Sequence, residues 1–320
     1  MNIDKPIFDY DAWNLSPLQR ELCDETRSLA SEKFASRASD HDLNASFPTE
    51  NYKDLHRSGL MGICIPKSYG GRGADLKTYM LAASEIGRYC GATALTFNMH
   101  VSSCLWTGFL TDNLNLSEQD RNNHNHMREK HYNRILEKGS IYAQPFSEGN
   151  SSAAGHNAFT TTALLTDGGW IVNGKKIFAS LSGHADYYGV LSSEIKDKKS
   201  KLSRSNTMYL AIPSKSNGVR IEGEWNPLGM RGTVSRTLIF EDVFIPFEEQ
   251  LMPRGVYFNA AKQWPHMFMT LTPAYLGIAQ ASYDFAIKYL RGEVDGMPPV
   301  KRRMYPTKQI TVSEMKIILE

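Results

Sequence analysis

Residues 228–246, LGMRGTVSRTLIFEDVFIP, decide the fold. Within them residues 237–244 are a run of β-branched and aromatic side chains, closed by a proline at Pro246, which is the make-up of a strand. It is the last of eight such runs. The others are residues 140–145, 158–166, 170–173, 176–180, 187–193, 208–212 and 219–224, separated by Gly, Asn, Asp and Ser. This spacing predicts an antiparallel sandwich or barrel of about 100 residues. Asn173-Gly174 predicts a hairpin turn between the third and fourth runs. Residues 194–207, EIKDKKSKLSRSNT, predict a solvated hairpin tip.

On either side of this block the period is helical. Ser16-Pro17 is a start signal, a capping hydroxyl before proline at the first helical position. Leu18, Leu22, Leu29 and Phe34 then share one face through about Ser39. A second helix is expected over 49–57, stopped by Ser58-Gly59. Residues 60–66 (LMGICIP) form a short buried run, followed by the turn Tyr69-Gly70-Gly71-Arg72-Gly73. Asp75 caps a helix with Tyr79, Ala82, Ala83 and Ile86 inward. Residues 92–110 are apolar nearly all round, as in a central bundle helix. Residues 117–138 are polar and read as a surface helix closed by Gly139. Beyond Pro246, Leu271, Tyr275, Ile278, Phe285 and Tyr289 again share a face, with Thr272-Pro273 at its start or at a kink. Residues 291–306 are irregular and basic, and 307–320 are helical. The expected class is α+β: helical domain 1–138, β domain 139–246 and helical domain 247–320.

The chain has 320 residues, 41% of them hydrophobic, so a globular protein of more than one domain is expected. Lys+Arg number 36 against 34 Asp+Glu, a formal charge of +2. A large basic excess is missing, so nucleic acid is not an expected partner. The four cysteines (Cys23, Cys64, Cys90 and Cys104) form no C-x-x-C pair, hence neither a disulfide framework nor a zinc site is expected. No run approaches the ~18 apolar residues of a membrane span, and the N-terminal residues lack a signal-peptide pattern. The expected compartment is the cytoplasm.

Single motifs say little. Gly70-Gly71-Arg72-Gly73 lacks the spacing of a phosphate loop and reads as a plain connection. His124, His126 and His131 show no i,i+4 pair and read as solvated, so no metal site is assigned. No nucleophile motif stands out. Three segments of the β block say more together. Residues 142–155 run from a strand into a small, polar loop through which backbone N–H groups could approach a flat ligand. Residues 170–186 deliver Phe178 and Ser180 on one face. Residues 228–246 complete the set.

In this order the segments resemble those of the acyl-CoA dehydrogenase family of flavoproteins. The third segment is similar to the family's glycine-x-arginine…phenylalanine-glutamate-aspartate-valine-x-valine-proline strand. The hairpin Asn173-Gly174 with Lys176, and Ala185-Asp186, match too. Pro66…Tyr69-Gly70-Gly71 resembles the family's proline…tyrosine-glycine-glycine loop, and Tyr275-Leu-Gly-Ile-Ala-Gln280 its first C-terminal helix. The resemblance implies FAD as cofactor. By position, Tyr142, Gln144, Pro145, Asn150 and Ser151 fall where the family lines the flavin ring and pyrophosphate. Phe178 takes the place of the tryptophan against the ring, and Ser180 that of the threonine bonded near flavin N5. Ser235 and Arg236 resemble a substrate-side pair.

The implied reaction is α,β-dehydrogenation of an acyl-CoA thioester, with an electron-transfer partner to remove the electrons. Departures are equally specific. Pro145 replaces a threonine, Phe146-Ser147 a glutamate-proline and Ser152 an aspartate. This loop resembles that of divergent branches, including flavin monooxygenases. In place of the family's arginine-x-x-phenylalanine motif stands the basic run Lys301-Arg302-Arg303. Residues 251–283 contain no acid, and Met267 and Phe268 occupy the place where a minority of the family carries its catalytic glutamate. His266 is nearby and reads as a packed or surface histidine. The catalytic residue is therefore unassigned. The C-terminal domain is expected to be incomplete, with a homo-oligomer or partner chain completing it. A flavin monooxygenase, or a non-catalytic subunit on the same fold, is the alternative.

Overall fold

The computed structural model describes residues 5–149, 157–297 and 304–320, apart from the side chains of Met267 and Phe268. The first helix starts as the sequence predicts. Ser16 caps α1 (Pro17–Leu29) in a capping box with Gln19. A π-turn over Ala30–Phe34 then carries the chain into α2 (Ala35–Leu43), so the predicted single helix runs longer and is bulged. Helix α3 (Thr49–Arg57) has the predicted bounds. Asp75 caps α4 (Leu76–Tyr89) by accepting from the Thr78 N–H at 2.8 Å. Helix α5 (Gly91–Leu105) ends in a second π-turn, Trp106–Leu110. Ser117 and Gly139 cap α6 (Glu118–Lys138). In the plain loop 70–73, Arg72 reaches back to Glu21 and Glu25 of α1 at 2.8 Å.

The reading of α6 as a surface helix needs correction. His124, Arg128, His131, Tyr132 and Ile135 are buried, while His126 alone of the three histidines is exposed. His124 Nε2 donates to the Thr107 carbonyl at 2.7 Å, and His131 Nδ1 bonds the Tyr142 hydroxyl at 2.9 Å. His100 of α5 is buried in the same way: its Nε2 donates to the Met61 carbonyl (3.0 Å) and its Nδ1 accepts the Tyr142 N–H (3.1 Å). Burial disfavours the charged ring, so all three are pushed down to about 4.

The β block is one sheet of β1 (Tyr142–Ala143), β2 (Thr162–Thr166), β3 (Gly169–Ala179), β4 (Tyr187–Ile195), β5 (Thr207–Pro213), β6 (Val219–Glu222), β7 (Arg236–Pro246) and β8 (Gln250–Met252). The strand order is β6-β7-β3-β2-β4-β5-β8, with β1 on β4. Most pairs are antiparallel as expected, but β1 and β2 both run parallel to β4, which makes the sheet mixed. Asn173-Gly174 is not a turn. It lies inside β3, and the turn falls at Asp167-Gly168, between Thr166 and Gly169. Asn173 instead clasps β7: its Nδ2 donates to Asp242 Oδ1 and its Oδ1 accepts the Asp242 N–H, each at 3.0 Å. A register shift falls between Val172 and Gly174, and a Cβ on Gly174 would come within 2.8 Å of three Thr161 atoms. The glycine marks a bulge and a close approach.

After the sheet come α7 (Tyr257–Gln263), a 3-10 turn (Pro265–Met269), α8 (Thr272–Arg291) and α9 (Pro306–Leu319). Proline at the first turn of α8 starts the helix rather than kinking it. Helix α8 packs on α4 backbone to backbone. A Cβ on Gly87 would lie 2.6 Å from the Ala274 carbonyl, and one on Gly277 would run into the Ser84 carbonyl. Beside this crossing Arg88 Nε pairs with Asp284 at 2.6 Å.

Two predictions arise here. Gly277→Ala pushes α8 off α4 and is expected to destabilise the fold by about 1–3 kcal/mol, read as a lowered urea midpoint. The second concerns acid. The three histidines stay neutral when folded and titrate near 6.5 when unfolded, so their stabilisation is lost as pH falls from about 6.5 to 4. Glu85, raised to about 7 by burial, opposes them: its contribution is lost as pH rises from 4.5 to 7. Near pH 5.5 unfolding should take up about two protons net, a slope of roughly 2 kcal/mol per pH unit. His124→Gln should remove about one of them. Urea midpoints independent of pH between 7 and 5 would contradict this.

Candidate functional site

A cavity of about 460 Å³ opens where α5, the sheet and the start of α8 meet. Leu95, Asn98, Met99, Ser102 and Trp106 form one stripe along α5 and its π-turn. Phe178 comes from β3, Ser180 and Ser235 from the residues next to β3 and β7, and Gln144, Phe146 and Ser147 from the segment after β1. The connection from β6 to β7 adds Trp225, Pro227, Gly229, Met230 and Thr233, and Thr270, Leu271 and Tyr275 close the third side. None of these lining residues is Asp, Glu, Lys, Arg or His.

Local backbone geometry aims the side chains. Phe178 stands at φ +51° in the second bulge of β3, between Lys176 and Ala179, and its ring is 67% exposed. An exposed Phe in αL inside a strand is strained, as sites for ligands often are. Trp225 meets it edge-to-face at 6.4 Å and donates from Nε1 to the Met230 carbonyl at 3.1 Å. Gln144 is buried, and its amide Nε2 has no hydrogen-bond partner. A buried unpaired donor is costly, which marks a place for a polar ligand atom. Ser180, Ser235 and Thr233 form a hydroxyl chain: Oγ to Oγ at 2.8 Å, Oγ to Oγ1 at 2.7 Å, then Thr233 Oγ1 to the Met230 carbonyl at 2.9 Å. Asn98 Oδ1 accepts from the hydroxyls of Tyr79 (3.2 Å) and Ser102 (3.3 Å), which fixes the α5 wall.

A buried ion pair holds the rim. Lys176 Nζ lies 2.8 Å from Glu148 Oε1, donates to the Leu191 carbonyl at 2.7 Å and sits 4.6 Å above the Phe159 ring. Burial alone would raise Glu148, but the Lys176 ammonium outweighs it and brings the carboxyl to about 2. The Thr160 and Thr161 N–H groups also donate to this carboxylate, at 2.7 and 3.0 Å. The Ile177 N–H bonds the Ser147 carbonyl at 2.8 Å. Residues 147 and 148 are thereby pinned to β3 right beside Phe178.

Of the residues singled out from sequence, Gln144, Phe178, Ser180 and Ser235 meet at the cavity. Tyr142 does not line it. Its ring is buried against Tyr187 (4.9 Å, 19°) with its hydroxyl on His131. Pro145 is buried outside the lining, and Arg236 is exposed at the start of β7. Asn150, Ser151, Ser152 and the basic run Lys301-Arg302-Arg303 lie outside the described residues, as do the side chains of Met267 and Phe268. His266 is exposed and borders a separate apolar hollow with Trp264 and Leu276. Sequence reading missed Asn98, Ser102, Trp225 and Thr233. Asn98 and Ser102 carried a signal, being polar residues four apart on one face of a buried helix.

Known proteins share this fold. The family model for the acyl-CoA dehydrogenase N-terminal domain matches residues 16–111, and that for the middle domain residues 146–243. The short-chain specific acyl-CoA dehydrogenase of Clostridium acetobutylicum is 27% identical over 280 residues, covering 87% of this chain and 70% of that protein. Among solved structures, butyryl-CoA dehydrogenase from Megasphaera elsdenii superposes with a TM-score of 0.77 at 22% identity, over 95% of this chain and 76% of that one. Dibenzothiophene monooxygenase from Paenibacillus sp. A11-2 gives 0.74 at 24% identity, over 93% and 72%. The two structural likenesses are likenesses of fold. The two domain matches together span more than half of the sequence, and the chain belongs to the acyl-CoA dehydrogenase family.

Proposed function

We propose that the chain is an FAD-dependent oxidoreductase that carries out α,β-dehydrogenation of an acyl-CoA thioester. The observation that carries the flavin assignment is the cavity itself, where an exposed ring (Phe178), an unpaired buried amide (Gln144) and a hydroxyl (Ser180) converge. These groups fit a flat heteroaromatic ring with nitrogen and oxygen acceptors along its edge. Bound there, the flavin supplies a hydride acceptor for the substrate β-carbon. Phe178 would cover one face of the ring, Gln144 would donate to an acceptor on its edge and Ser180 would lie toward N5. By sequence resemblance alone, Asn150 and Ser151 are assigned to the pyrophosphate. Leu95, Met99 and Leu271 offer apolar surface to the acyl chain. The sequence relatives favour the acyl-thioester substrate, with Ser235 and Arg236 toward its side of the site.

A second reading rests on one observation: no described lining residue is a carboxylate. Dehydrogenation requires a base for the α-proton, whereas a flavin monooxygenase taking oxygen and externally reduced flavin does not. A non-catalytic subunit would equally need no base, but the strained, exposed Phe178 and the unpaired Gln144 argue for a ligand-handling site. Where dehydrogenation occurs, an electron-transfer partner takes up the electrons. A second copy or partner chain supplies the base and covers Ile310, Ile317 and Ile318, which are 57%, 72% and 84% exposed. Among the described residues no helix is long and apolar enough to cross a membrane. All four cysteines are free and buried, in keeping with the cytoplasm.

Phe178→Ala with Ser180→Ala removes a ring contact and a hydrogen bond, together about 2 kcal/mol, so FAD binding is expected to weaken roughly thirtyfold. Tyr142→Phe should change it less than about twofold, because its hydroxyl serves His131. Fluorescence titration checks both, and an unweakened double variant would remove the flavin from this cavity. The two reactions separate by absorbance. Anaerobic addition of butyryl-CoA to the FAD-loaded protein bleaches a dehydrogenase, while a monooxygenase stays yellow and turns over only with reduced flavin and oxygen.

A further inference from the structure

We propose that the hydroxyl chain beneath the cavity makes Ser180 a hydrogen-bond acceptor toward its ligand, so that the site binds reduced flavin in preference to oxidised flavin. The proposal rests on the flavin reading above and adds a redox preference to it.

The direction of the chain follows from its far end. The Met230 carbonyl can only accept, so at 2.9 Å the single proton of the Thr233 hydroxyl points to it. Thr233 Oγ1 can then only accept from Ser235, 2.7 Å away, and Ser235 Oγ can only accept from Ser180, 2.8 Å away. Each hydroxyl has one proton, and all three protons are now committed. Ser180 therefore presents only lone pairs to the cavity. The three residues are buried, at 7%, 6% and 1% exposure, so bulk water has little access to reset the order. Thr233 acts on Ser180 through Ser235; both are positioning residues.

The two redox states of a flavin differ at N5. Oxidised N5 is an acceptor, whereas reduced N5 carries a hydrogen and donates. A donating N5–H completes the chain with every bond kept. An accepting N5 requires Ser180 to turn its proton into the cavity. Ser235 and Thr233 must then turn in sequence, and the bond from Thr233 to Met230 is lost. Met230 keeps its bonds from Trp225 Nε1 and the Thr233 N–H, so the difference is one hydrogen bond. That corresponds to a preference on the order of fivefold.

The test measures dissociation constants for oxidised FAD and, anaerobically, for reduced FAD. It uses the unmodified protein and three variants: Thr233→Val, Ser235→Ala and Thr233→Ser. Thr233→Val keeps the shape and removes the proton that ends the chain, and Ser235→Ala cuts the chain at its middle. In both, the ratio of oxidised to reduced dissociation constants should fall about fivefold relative to the unmodified protein. The two-electron midpoint of the bound flavin should fall with it by about 20 mV. Thr233→Ser keeps the hydroxyl and should keep the ratio. A ratio unchanged in both broken-chain variants, or one that falls equally in Thr233→Ser, would overturn the proposal while leaving the flavin site standing. Failure of the unmodified protein to bind FAD in either redox state would overturn the flavin reading, and this inference with it.

Discussion

The cavity exists at its observed width because α4 and α8 touch through backbone. Gly87 and Gly277 face one another so closely that neither tolerates a Cβ, and Arg88 with Asp284 locks the rotation beside them. Close-packed interiors transmit displacement rather than absorb it. An offset of α8 would therefore move Leu271 and Tyr275 away from the α5 stripe and open the third side of the site. Tyr79 reinforces the arrangement. Its hydroxyl lies within hydrogen-bond distance of both Asn98 Oδ1 and the Thr270 carbonyl, so α4 holds the cavity wall from α5 and the lead-in to α8 at one point.

How much of this was legible in the sequence depended on how local the determining physics is. Caps are local: Ser16, Asp75, Ser117 and Gly139 each fix a helix end within a turn, and the structure places those ends accordingly. Asn173-Gly174 misled because the same dipeptide satisfies two demands. It suits a tight turn, but here Asn173 has a cross-strand partner in Asp242 and Gly174 a tight neighbour in Thr161, and neither can be seen from the flanking residues. The strand order is nonlocal in the same sense, since alternation does not say that β2 lies parallel to β4. His124 and His131 read as solvated because their partners, the Thr107 carbonyl and the Tyr142 hydroxyl, come from other elements. At the site, Phe178 and Ser180 were singled out through the family resemblance that three segments carry, and both line the cavity. The Glu148–Lys176 pair was not, since 28 residues separate its halves.

Strain concentrates around the ligand position. Phe178, Met230 and Val234 all take positive φ, at +51°, +58° and +47°. Val234 is β-branched and makes the most costly of the three, yet it sits between the two hydroxyls that must meet. Such conformations persist only where the surroundings over-determine them. Here those surroundings are identifiable. The Leu181 and Ser182 N–H groups bond the Thr233 and Val234 carbonyls at 3.0 and 3.1 Å, stitching the segment to the end of β3. One set of backbone bonds thus holds both Phe178 and the hydroxyl chain in place.

The described lining has no ionisable acid or base of the Asp, Glu, Lys, Arg or His type, and the buried Glu148 and Lys176 pair with each other at 2.8 Å. A site built this way cannot discriminate between ligand states by net charge at close range. Dipoles remain: the direction of hydroxyl protons, the Gln144 amide and the carbonyl of Met230. Their effect is strong where these groups are buried, as Gln144, Ser180, Ser235 and Thr233 are, because the local dielectric is low there. In such surroundings one proton's orientation, set by a carbonyl two hydroxyls away, becomes the variable that the sequence can change without altering the shape of the cavity. Thr233 in place of a residue without a hydroxyl is that kind of change, made on the cavity wall two hydroxyls away from Ser180.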